Sequence, residues 1–286
     1  MNVLRSLVLP GLLALCVVLS PEAVTAKPTP ADTLAKVKVL LAEKDSYAAA
    51  EYVQGLGEPP LVAQAYAQLV MDLHWKASDV PGVVAMGRAG ILYSLTRVRD
   101  LAAKTPEKVP AWRGHAKMIA YNLASFTWPG WGNEKLTITE ADLAAGREAA
   151  AFNLRLAIEL GVPPQKLSAA HWLVGAHRLS ADDHAGAKAS FRTAVEFSRK
   201  AGDEEGALMG EGYLAMAGVL SGDAKARKAM DAAVAGLRKI GTDDGKRFPD
   251  NKGTGEFYFS RSSDDDFVCE GCSWLLVFGS HVNGCK

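Results

Sequence analysis

The chain has 286 residues, and its 32 basic side chains balance its 32 acidic ones for a formal net charge of zero. A neutral chain lacks the cationic footprint that nucleic acid or an anionic membrane surface requires, which excludes both as principal partners. Apolar residues make up 49% of the chain, enough for a packed core, and alanine and leucine dominate while strand-favouring runs are scarce before the last thirty residues, the composition of packed helices.

Residues 1–26 read as a secretory signal. Arg5 precedes the apolar run Leu7 to Leu19, and small residues around Ala23 to Ala26 suit cleavage after Ala26. The run is about thirteen residues long, short of the ~20 that cross a bilayer as a helix. An uncleaved anchor and a lipoprotein acylated at Cys16 are the alternatives. The mature chain is therefore expected to be periplasmic or secreted, with no membrane insertion after cleavage.

Residues 27–245 form the expected helical domain. The prolines of Lys27 to Ala31 predict an extended lead-in, and Asp32 is placed to cap a helix over Thr33 to Glu43. Ser46 to Gln54 is a short second helix, and Gly55 to Pro60 a break. Leu61 to Lys76 follows. Asp79-Val80-Pro81 starts the next helix, which runs on to Lys104, and Ala111 to Phe126 is again amphipathic. Thr127 to Ile138 (TWPGWGNEKLTI) breaks the rhythm with two tryptophans around a Pro-Gly turn. Thr139, with Glu140 and Asp142 behind it, predicts a capped helix ending at Leu160-Gly161. Four more helices are predicted over Leu167 to Leu179, His184 to Ala201, Glu204 to Leu220 and Ala224 to Ile240, with Gly202, Gly222 and Gly241 marking breaks.

Helices of this length joined by short breaks suggest helix hairpins, and Ser168 to Ala201 carries a recurrent pattern: Gly175 in mid first helix, then Ala187, Phe191 and Ala194 in the second. Ala150, Leu154 and Ala157 repeat it 37 residues earlier, and Ala215, Ala226, Met230 and Ala233 follow it loosely. This unit resembles a tetratricopeptide repeat, with His171, Arg178 and Arg199 replacing the usual Trp, Tyr and Pro. The physical sense of the pattern is close packing, since small residues let two helices approach while Phe or Leu fills the gap to the next hairpin. The resemblance implies an all-α, TPR-like α-solenoid of tandem antiparallel helix pairs. It further implies that first helices line a concave groove for a polypeptide, at Ala169, Trp172, Ala176 and Leu179, and at Met209 and Met216 in the next unit. An aromatic and methionine surface suits an apolar or helical segment.

Trp128 and Trp131 are the other candidate partner contacts, either as exposed anchors or folded back as a cap on a hairpin. The alternative function is a secreted helical enzyme or small-ligand binder with a pocket near Trp128, Trp131 and His115; a structural subunit of an envelope complex is a third. No GxSxG, P-loop, GxGxxG or HExxH motif occurs, so no catalytic residue, metal ligand or cofactor is assigned. Residues 246–286 shift to Gly, Ser, Asp and aromatics and are expected to form an irregular tail or β-hairpin, unless they belong to a shifted reading frame. They hold Cys269, Cys272 and Cys285. In an exported protein these are disulfide candidates before they are a redox or zinc site.

Overall fold

The computed structural model describes residues 28–131 and 135–240. The expected signal peptide, the tail with its hairpin and the three cysteines lie outside the described residues. Within them the chain is helical: α1 (Pro30–Glu43), α2 (Ser46–Gln54), α3 (Pro59–Trp75), α4 (Val80–Leu101), α5 (Val109–Phe126), α6 (Glu140–Glu159), α7 (Pro164–Leu179), α8 (His184–Ala201), α9 (Glu204–Leu220) and α10 (Ala226–Ile240), with 3-10 turns at Pro106–Lys108 and Pro129–Trp131. None of the described helices is long and apolar enough to cross a membrane.

Most ends follow local chemistry. Asp45, Asp79, Asp183 and Asp203 each cap a helix by accepting a backbone N–H three residues on. Thr139 and Asp142 cap α6 reciprocally. At the end of α8, Gly202 takes the left-handed φ of 72° that closes the helix. The prolines are where the expected boundaries move. α1 begins at Pro30 rather than after Asp32, with Thr29 as the cap and Asp32 returning the bond, and α3 and α7 begin at Pro59 and Pro164 rather than at Leu61 and Leu167. Proline stops a helix only from within. In the first turn its missing N–H has no partner to lose, and its fixed φ is already helical.

Consecutive helices pack on one another, and α7 and α8 run antiparallel. Along α7 and α8, Ser168 Oγ meets Ser198 Oγ at 2.7 Å and Arg178 Nη1 donates to the Gly186 carbonyl at 3.1 Å. Between them a Cβ on Gly175 would sit 2.7 Å from Phe191 Cε1, so a glycine is required for this approach. Phe191, Ala187 and Ala194 are buried with it. The expected close-packing residues thus do form the α7–α8 interface. The main packing partners of a helix are its sequence neighbours and the helices next but one. The apolar core accordingly comes as three successive clusters, centred on α1–α5, on α4–α7, and on α7–α10 with Trp128.

One buried joint makes a pH prediction. His177, 1% exposed, lies between α5 and α7 with Nε2 2.9 Å from the Ala124 carbonyl. The carbonyl must accept, so Nε2 carries the proton and Nδ1 is left buried without a partner among the described residues. Burial first, with Arg147 adding and the Ala124 bond opposing, pulls this imidazole down to about 4. An unfolded histidine titrates near 6.5. Below that pH the unfolded chain takes up a proton that the folded chain refuses, so the stabilising contribution is full above about pH 6.5 and is lost as pH falls toward 4. The loss approaches 3 kcal/mol, on the order of 1.4 kcal/mol per pH unit of the gap. Chemical denaturation across this range should show the wild-type stability falling with acid. His177→Gln, which can still donate to Ala124 but does not titrate, should flatten that fall; parallel curves for the two proteins would refute it.

Candidate functional site, an aromatic seam beneath the Trp-Pro-Gly-Trp turn

α5 delivers its last turn, Ala124 to Phe126, to the start of the aromatic loop. Thr127 closes the helix by donating its hydroxyl to the Leu123 carbonyl at 2.8 Å. The chain then folds back over α7. Trp128 Nε1 donates to the Ala176 carbonyl at 3.1 Å and to Ser180 Oγ at 3.0 Å, which ties the loop to the C-terminal part of α7. Trp131 Nε1 donates back to the Ser125 carbonyl at 2.6 Å. Both indole N–H groups are therefore used internally.

The rings of the loop, α7, α8 and α9 form a connected seam. Trp128 stands edge-on to Trp131 (centroids 5.1 Å) and to Trp172 (5.3 Å), and Trp172 stands edge-on to Tyr213 of α9 (5.3 Å), which leans on Phe191 (5.5 Å). At the other end Phe126 is stacked on His74 at 4.1 Å and meets Trp75 edge-on at 5.8 Å. Edge-to-face pairs at these separations contribute about 0.5–1.5 kcal/mol each beyond area burial. These contacts join the loop to the middles of α7 and α9, and the end of α5 to the end of α3. Burial pushes the Tyr213 phenol far up, so it stays protonated.

The seven expected partner contacts, Trp128, Trp131, Trp172, Ala176, Leu179, Met209 and Met216, all fall in the α7–α10 cluster. They divide by exposure. Ala176, Leu179, Met216 and Trp128 are buried, Ala176 completely. These four pack against neighbouring helices, and the face expected to line an open groove is largely closed by α9 and by the returning loop. Trp131, Trp172 and Met209 remain half-buried and reachable. Ala169 is buried as well. Both tryptophans fold back through their N–H groups, Trp128 into the core and Trp131 only half-buried.

A cleft of about 240 Å³ opens beside the turn, lined by Phe126, Trp128, Pro129, Trp131, Leu136 and Ile138. His115 is not among these residues, which corrects the expected Trp128–Trp131–His115 pocket. It packs on Trp112 at 5.5 Å instead, and burial lowers its affinity for a proton. Eleven residues of α5 separate His115 from Phe126, roughly 16 Å at ~1.5 Å per residue, so one cleft at the helix end cannot include it. Nor does an acidic side chain line the cleft among the described residues. No group of three or more His, Cys, Asp or Glu side chains is placed to hold a metal ion among the described residues.

Phe126, Leu136, Ile138, Tyr213 and Trp75 complete the site and were not singled out in the sequence. Leu136 and Ile138 sit two apart in the loop and point the same way, a spacing that could have marked them. Tyr213 joins Trp172 only through the stacking of α9 on α7, for which one sequence holds no signal. A scan against protein-family models and a search of curated proteins both find no match to this chain.

Proposed function

We propose that this protein is an exported, TPR-like helical scaffold that binds an apolar segment of another polypeptide along the seam, with Trp131, Trp172 and Met209 as the reachable contacts. The observation that carries this reading is that Trp131 and Trp172, half-buried rings 6.0 Å apart, pack with Met209 on one core cluster, with Tyr213 edge-on to Trp172. Rigid aromatic anchors lose little entropy on binding, and such residues dominate binding energy at interfaces. The solenoid part of the reading is supported by the succession of three core clusters along the chain, in place of one central core, and by Gly175 and Phe191 fitting as the repeat pattern requires. The export part rests on the layout of residues 1–26 and is checked by N-terminal sequencing of the protein made in a secreting cell, where a chain beginning at Lys27 is expected.

Binding is tested by selecting short peptides against the immobilised protein and measuring their affinity for Trp131→Ala and Trp172→Ala. Apolar, helix-forming peptides should be enriched. Each alanine variant should weaken them roughly 30-fold, the equivalent of about 2 kcal/mol for the loss of one aromatic anchor. Failure to enrich any peptide, or equal affinity for the variants, refutes the scaffold reading.

A further inference from the structure

The geometry points to the cleft beside the Trp-Pro-Gly-Trp turn as an anchor pocket for one uncharged, bulky side chain, aromatic or branched aliphatic, of the bound polypeptide segment. This rests on the scaffold reading and adds the identity of the group that docks. Size sets the first limit. A dry cavity of about 150 Å³ holds one benzene, so about 240 Å³ takes a phenylalanine- or leucine-sized group and excludes a long lipid chain or a folded element. Chemistry sets the second. Every lining side chain named above is apolar, and the only polar side-chain atoms among them, the two indole nitrogens, are committed to Ala176, Ser180 and Ser125. None of these six side chains offers a partner to a charged group, which would lose its hydration against them.

Polarity sets the third. Among the described lining residues, hydrogen bonds to an occupant come from peptide groups. Peptide groups around an apolar floor match an amino-acid residue, with an apolar side chain inside and amide groups at the mouth, better than a free hydrocarbon. Two of the walls are also fixed: Trp128 is buried and tied to α7, and Phe126 is buried and stacked on the ring of His74. Such a pocket exists before its occupant arrives, which lowers the entropic cost of binding.

The test uses three probes on the full chain: N-acetyl-phenylalaninamide, N-acetyl-glutaminamide and methyl glucoside. Binding is followed by tryptophan emission and by the rise in melting temperature. The phenylalanine probe should bind at about 1 mM, as its size allows, with the other two at least tenfold weaker. Leu136→Trp and Ile138→Trp place bulk in the cleft from half-exposed positions. Each should abolish the probe's effect while melting as the wild type does, and either one suffices if the other fails to fold. Equal binding by the filled variants, or a glutamine probe as tight as the phenylalanine probe, overturns the pocket. The two readings fail separately. Peptides that bind through Trp172 yet ignore Leu136→Trp overturn the pocket alone, and a phenylalanine probe that fills the cleft of a protein binding no peptide overturns the scaffold alone.

Discussion

Phe191→Ala is expected to cost about 3–5 kcal/mol of unfolding free energy, the range for truncating a buried aromatic residue. Phe191 is 0% exposed and occupies the space that the missing side chain of Gly175 leaves between α7 and α8. It also supports Tyr213, and through Tyr213 the ring of Trp172. The reciprocal change, Gly175→Val, inserts atoms where a Cβ alone would already sit 2.7 Å from the Phe191 ring, so it should destabilise comparably through overpacking. Gly175→Ala combined with Phe191→Leu should recover part of the loss, because the shorter side chain makes room for the methyl group. Urea denaturation measures all four proteins, and a loss below about 1 kcal/mol for Phe191→Ala would remove this interface from the list of principal stabilising contacts. Hydrogen exchange adds a second reading. If the helices stack as an array, a damaged α7–α8 interface opens locally, and protection should fall in α7–α10 before it falls in α1–α4.

Trp128→Ala should be of similar size, about 3–5 kcal/mol, and should also dismantle the site. Trp128 is 4% exposed, is edge-on to three other rings, and donates to both Ala176 and Ser180. Its ring lies so close under Gly130 that any side chain at that position would collide with it, which explains a glycine at the tip of the turn. Trp128→Phe separates packing from tethering. It keeps much of the ring contact and loses the N–H, so it should cost about 1–2 kcal/mol, less than the alanine change. Near-ultraviolet circular dichroism reports the coupled indoles, and their signal should collapse in Trp128→Ala but only diminish in Trp128→Phe. An alanine variant that keeps both its stability and the phenylalanine-probe affinity would show that the loop is held by other contacts.

Much of the architecture is legible residue by residue. Asp79, Thr139, Asp183 and Gly202 mark helix ends because capping and a left-handed closing residue are local events, completed within one turn of chain. The small-residue pattern of Gly175, Ala187 and Ala194 is legible for the same reason, since the absence of a side chain is a property of the residue itself. The prolines were misplaced at Pro30, Pro59 and Pro164 because the same residue ends a helix from inside and begins one from its first turn. Only the apolar periodicity on either side distinguishes the two cases.

The candidate site divides along the same line. The pair Trp128 and Trp131 stands out as an anomaly of composition, and Trp172 and Met209 as apolar residues on one face. Which of them stay reachable is a matter of what lies across from them. Sequence by itself determined that this chain makes helices, where most of them begin and end, and that the α7–α8 crossing would be close. Tertiary structure alone decided that Trp128 turns inward while Trp131 stays half open, that His115 packs on Trp112 away from the cleft, and that Tyr213 from a distant part of the chain joins the seam. The physical reason is that capping and chain stiffness act over a few residues. Burial depends on the summed packing of helices more than forty residues apart, and no single segment encodes it.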